Sequence, residues 1–241
     1  MKIAILATLL ALSQAAPAST EVSSSSSNAL SQFRFAFDGG LGVTVSWSST
    51  EQIEDPIVWF SSDGWIWLPS LPGTSTTFPT ATVWDNHVSI PLLLPYTKYY
   101  YKVSGQPSDF DPVASDYYFT TARLAGSQDE FSIAMYGDLG YNVYNGSYSH
   151  IPDSFNSLLA AKDTYDFIVH NGDLGYADTW QTEESDNIIP PTTSEVDAYN
   201  EIMNLYYDQS TNITKNTPYM VGPGKYVSVT VDYLVNVSNQ P

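Results

Sequence analysis

Cysteine is absent from the 241 residues, so neither disulfides nor thiolate metal sites are available, and stability has to come from burial, glycans or bound metal. Basic residues are scarce: eight Lys and Arg stand against 26 Asp and Glu, a formal charge of −18. Such a surface repels nucleic acid, anionic membranes and, at neutral pH, phosphorylated molecules. Phosphate chemistry on it requires a local cationic centre or an acidic medium. Histidine is limited to His87, His150 and His170. The longest apolar run, residues 3–12, is too short to span a bilayer. What is abundant is apolar and aromatic material, 43% and 14% of the chain, ample for one large domain or two ordinary ones.

Residues 1–18 carry one Lys2, the apolar run and the small-residue pattern Ala16-Pro17-Ala18, a secretory signal cleaved after Ala18. The mature chain is therefore expected outside the cell or in the cell wall. Three sequons, at Asn145, Asn212 and Asn236, agree with passage through a secretory pathway. Residues 19–32 are Ser-rich and nearly uncharged, a flexible leader.

From residue 33 the pattern changes to short β-branched and aromatic runs at 33–37, 43–47, 57–60, 87–92, 99–103 and 117–121, separated by Gly, Pro, Asp and Ser clusters. That is the pattern of an antiparallel sandwich. Within it, Leu93-Leu94-Pro95-Tyr96-Thr97-Lys98-Tyr99 resembles the corner entering strand F of fibronectin type III-like domains, where a tyrosine hydroxyl pins the backbone, and Trp47 resembles the core tryptophan of their strand B. Beyond Arg123 the spacing predicts strand 131–136, helix 154–162, strand 166–170, helix 194–207 and strand 218–221, a β-α-β-α-β series. Right-handed crossovers would bring Asp138, Asp173 and the turn after Val221 to one edge of a parallel sheet.

Gly-Asp-Leu-Gly occurs twice in that series, at 137–140 and 172–175, each time just after an apolar run. One copy alone reads as an ordinary turn. Two copies at strand ends behind a sandwich read as carboxylates aimed at a metal. The second copy continues Tyr176-Ala177-Asp178, and here the chain resembles the purple acid phosphatases of the metallophosphoesterase superfamily. Asp138 with Gly140 matches that family's Asp-x-Gly motif, and Asp173 with Tyr176 its Gly-Asp-x-x-Tyr motif. The resemblance implies hydrolysis of phosphomonoesters at a binuclear centre. In it Asp138 and Tyr176 bind iron(III), and Asp173 bridges to a second divalent metal (zinc, manganese or iron). His170 lies within the strand before the turn, where packing or a supporting hydrogen bond is expected rather than ligation. His87 and His150 match no metal motif.

The expected fold is thus a fibronectin III-like sandwich over 33–122, followed by the first half of a metallophosphoesterase domain over 123–224 and a non-family tail over 225–241. The family motif Gly-Asn-His-Glu is met at Gly224 by Lys225 and Tyr226, and no histidine follows His170. No catalytic residue of that motif is retained, so little or no turnover is expected from these residues alone. The tail alternates valine with polar residues, and Gly224-Lys225-Tyr226 can be encoded across GTAAGT, a common splice-donor sequence; a retained intron and a true short isoform both fit. An alternative function is a non-catalytic, secreted fibronectin-like binding module with a vestigial α/β segment. Neither reading involves nucleic acid or a membrane span.

Overall fold

Alternation of inward and outward side chains builds the first half of the molecule, seen in a computed structural model that describes residues 28–140, 153–185, 194–222 and 224. Eight strands, β1 (Leu30–Asp38), β2 (Gly42–Ser49), β3 (Val58–Ser61), β4 (Leu68–Pro69), β5 (Thr74–Thr76), β6 (Trp84–Ile90), β7 (Lys98–Val103) and β8 (Tyr118–Thr120), form two antiparallel four-stranded sheets. Their orders are β1-β2-β6-β5 and β4-β3-β7-β8. Along β2, Val43, Val45 and Trp47 all turn inward and are fully buried. They meet Phe35, Tyr101 and Phe119 in one core, where the rings of Phe35 and Phe119 lie 5.6 Å apart. Before β7 the chain reverses at a corner held by the Tyr99 hydroxyl, which accepts from the Leu94 backbone N–H at 3.2 Å.

The strands β4 and β5 have no counterpart among the runs expected from residue order. Each is only two or three residues long, lies at a sheet edge and sits in a Pro- and Thr-rich stretch with no apolar alternation to reveal it.

The second half is a three-stranded parallel sheet, β9 (Ile133–Tyr136), β10 (Phe167–His170) and β11 (Tyr219–Val221), with β10 in the centre. The connecting helices are α1 (Asp153–Ala160), α2 (Trp180–Ser185) and α3 (Glu195–Thr214), with a single 3-10 turn at Ala177–Thr179 ahead of α2. Ser194 caps α3 by accepting from the Asp197 N–H. This helix runs seven residues beyond the expected end at Tyr207, because Ser210, Ile213 and Thr214 bury against neighbours even though the apolar period has faded. Thr214 Oγ1 donates to the Phe33 carbonyl of β1 at 2.7 Å. The opposite face of the parallel sheet is open among the described residues: Met135 is 62% exposed.

α3 also ties the halves together. Gln32 Nε2 donates to Asn204 Oδ1 at 3.2 Å, Tyr101 donates its hydroxyl to the Lys215 carbonyl at 2.9 Å, and the Arg34 guanidinium lies over the Tyr207 ring. Among the described residues no helix is long and apolar enough to cross a membrane. The leader expected over 19–32 ends earlier than the composition suggests: Leu30–Gln32 already belong to β1, and Gln32 is buried because its side chain bonds Ser48 and Asn204. Residues 19–27 of that leader, the signal, the tail with Lys225 and Tyr226, and the sequons at Asn145 and Asn236 lie outside the described residues.

Candidate metal centre

The two Gly-Asp-Leu-Gly copies sit side by side at the C-terminal ends of β9 and β10, stitched by backbone bonds. Asp138 N–H donates to the Gly172 carbonyl at 3.2 Å, Gly175 N–H donates to the Leu139 carbonyl at 3.1 Å, and Gly140 bridges to Gly175 in parallel register. In each copy the leucine is the anchor: Leu139 and Leu174 are buried in the core beneath the helices, which fixes the aspartate beside it at the sheet edge. Gly175 sits in left-handed backbone at φ 72°, and a Cβ there would stand 3.0 Å from Met203 Sδ of α3, so a side chain would be strained and would have to displace Met203.

Asp138, Asp173 and Tyr176 all adopt left-handed backbone, with φ of 57°, 57° and 52°. Aspartate tolerates this region, whereas a bulky tyrosine enters it at a cost of order 1–3 kcal/mol. That conformation coincides with a contact: the Tyr176 hydroxyl donates to Asp138 Oδ1 at 2.6 Å. Two hard oxygen donors, one anionic and one ionisable, are therefore already adjacent. Gly224, in left-handed backbone after β11, closes against the second turn; any Cβ on it would collide with the backbone N and Oδ1 of Asp173. Gly222 N–H donates to the His170 carbonyl at 2.7 Å and brings that turn alongside.

His170 is fully buried behind the turns. Its Nδ1 meets the Tyr219 hydroxyl at 2.5 Å and the Tyr206 hydroxyl at 3.0 Å, and those two hydroxyls are 2.6 Å from each other. Burial pulls its pKa from 6.5 down to about 4, against the Gly172 backbone and the Asp138 and Asp173 charges, which favour the protonated ring. Burial likewise pushes the Tyr206 and Tyr219 hydroxyls well above their ordinary range. His170 thus anchors the end of β10 as a neutral hydrogen-bonding ring. Tyr206 and Tyr219 were legible only as apolar positions of a helix and a strand; nothing local to either signals that they share a histidine.

His87 belongs to the sandwich, its Nδ1 at 2.8 Å from Ser46 Oγ. Asn212, the described sequon, is exposed on α3. Among the described residues no three His, Cys, Asp or Glu side chains gather as a metal-binding group. Among the described residues, Asp138 and Tyr176, with Asp173 on the neighbouring turn, are the hard oxygen donors that could hold a cation.

The chain is similar to acid phosphatases. It is 28% identical over 215 residues to Acid phosphatase A of Cryphonectria parasitica, covering 81% of this chain and 40% of that protein. It is 35% identical over 94 residues to an acid phosphatase of Aspergillus ficuum, covering 39% of this chain and 14% of that protein. The chain therefore spans less than half the length of these relatives. No protein-family model matches it.

Proposed function

We propose that the chain carries the iron-binding part of a secreted acid phosphatase of the purple acid phosphatase kind, hydrolysing phosphomonoesters, with the sandwich as a fibronectin III-like scaffold. The observation that carries the reading is the 2.6 Å contact between the Tyr176 hydroxyl and Asp138 Oδ1 at adjacent strand ends. The similarity to proteins named acid phosphatase supports it.

Asp138 and Tyr176 would hold iron(III), and Asp173 would reach a second divalent metal, zinc, manganese or iron. A binuclear centre of this kind polarises phosphoryl oxygens and acidifies a nucleophilic water. The chain's own residues have three tasks. The stitched turns hold the two aspartates at one edge before any ligand arrives. Tyr176, whose hydroxyl donates to Asp138 Oδ1, would have to give up that phenolic proton to serve beside Asp138 as an anionic oxygen donor. His170, locked by Tyr206 and Tyr219, keeps the end of β10 from shifting. The charge of −18 repels phosphate esters at neutral pH, and an acidic medium that protonates surface carboxylates relieves that repulsion.

The 241 residues offer no histidine after His170, so they supply no imidazole for a second metal beyond the two turns. Little turnover is expected of them alone; robust hydrolysis of a phosphomonoester by this chain with iron and zinc supplied, abolished by Asp173→Asn, contradicts that. The reading itself is tested by adding iron(III) and then inorganic phosphate. A visible phenolate-to-iron absorption band that phosphate shifts supports a phosphate-handling centre. A band indifferent to phosphate, or no band, speaks against it.

A further inference from the structure

The outer face of the β4-β3-β7-β8 sheet concentrates rings and positive charge. Along β7, Tyr99, Tyr101 and Val103 turn into the core, leaving Lys98, Tyr100 and Lys102 outward. The register sets Trp59 of β3 opposite Lys102, and Tyr118 of β8 opposite Tyr100. Trp59, Tyr100 and Tyr118 are only partly buried. Lys102 Nζ lies 5.3 Å from the Trp67 ring centre, and Lys98 Nζ lies 3.7 Å from Tyr118 and 4.9 Å from Tyr100. At the rim Trp65 is 87% exposed, yet its backbone is fixed: Asp63 Oδ1 accepts from the Trp65 and Ile66 N–H groups at 2.8 and 2.9 Å.

Arg34, Arg123 and Lys162 each pair with a carboxylate, whereas Lys98, Lys102 and Lys215 form no ion pair among the described residues and lie over aromatic rings instead. Two of those three, Lys98 and Lys102, stand together on this one face, in a chain with 26 acidic residues.

We propose that this face binds an acidic polysaccharide, an extended glycan bearing scattered carboxylate or phosphate groups. Pyranose rings offer C–H faces that pack on Trp and Tyr, and their hydroxyls suit the polar tips of those rings. The acidic groups meet the two ammonium groups, which sit at the level of the rings. Two ammonium groups match widely spaced acidic groups and not the charge that nucleic acid carries on every nucleotide, and a second copy of the chain brings −18 of its own. A purely apolar partner would have to desolvate both lysines. At Tyr118 and Thr120 the face meets a cleft of about 600 Å³ lined by Phe131, Arg123 and Lys162 together with Asp163 and Asp166, so the acidic groups of a ligand are met at the two lysines and not along the cleft.

The test is electrophoresis of the full chain through gels containing a sparsely carboxymethylated glucan or the same glucan unmodified, beside Trp59→Ala and the double variant Lys98→Gln/Lys102→Gln. Melting curves of each variant report folding. The carboxymethylated glucan should retard the parent chain more strongly than the neutral glucan, and high salt should weaken the effect. Each variant should bind about tenfold more weakly, a change of about 1.4 kcal/mol. The lysine variant alters only side chains on the outer face, so it remains informative if Trp59→Ala fails to fold. No retardation, retardation unchanged in the lysine variant, or a variant-sensitive self-association on gel filtration in its place overturns the proposal.

Discussion

Tyr176 adopts a backbone conformation that a tyrosine avoids, and the reward is a hydroxyl 2.6 Å from the Asp138 carboxylate. Gly224 serves the same site by absence of a side chain. Gly224→Ala would drive a methyl group into Asp173, and iron(III) binding followed by isothermal titration should weaken about tenfold or more, the scale of losing a supporting contact at a metal. Unchanged affinity would mean that Asp173 takes no part. The pH response of the sandwich rests on another residue, His87. Burial and the nearby Arg34 charge pull its pKa from 6.5 to about 4, partly opposed by Asp85. The unfolded chain therefore takes up a proton below about pH 6.5 while the folded chain does not until about pH 4. His87 thus costs stability progressively as pH falls through that window, and the loss levels off below it. Urea melts across this range should show a shallower decline for His87→Gln than for the parent; parallel declines would count against it.

Elements differ in how openly the sequence announces them. The β2 run of Val43, Val45 and Trp47 alternates cleanly with smaller polar residues, so its inward face follows from residue order alone. The two Gly-Asp-Leu-Gly turns are equally plain, because each leucine is buried, each aspartate marks a strand end, and the left-handed backbone at Gly175 favours glycine where α3 packs on it. The short edge strands β4 and β5 escape notice because pairing to β3 and β6, not composition, makes them strands. The last two turns of α3 escape for a similar reason: Ser210 and Thr214 are polar, and Thr214 is held by β1, 181 residues away in the chain. The His170, Tyr206 and Tyr219 cluster joins three elements and has no linear signature. Burial also separates the two faces of the parallel sheet. Ile168→Ala, at a fully buried position, should cost about 2–5 kcal/mol in urea unfolding. Met135→Ala, on the open face, should cost less than about 0.5 kcal/mol. Equal losses would show that the face of Met135 is covered in solution.

For the whole molecule, the decisive feature is that the parallel-sheet half leans on the sandwich through α3. Arg34 sits at the centre of that contact, paired with Asp85 at 3.2 Å and stacked over Tyr207, with both side chains of the ion pair largely buried. Arg34→Ala leaves Asp85 without its cation and should cost about 3 kcal/mol. The effect belongs to both halves, so sandwich fluorescence and helix circular dichroism should shift together; a shift in one probe alone would show that they unfold separately. The most direct measurement of the metal centre is an iron(III) titration followed by visible absorption in the parent chain, Tyr176→Phe and Asp138→Asn. The expected result is a charge-transfer band in the parent that disappears in Tyr176→Phe and needs far more iron in Asp138→Asn. A band of equal strength in Tyr176→Phe would contradict the assignment of Tyr176 and Asp138 as ligands of one cation.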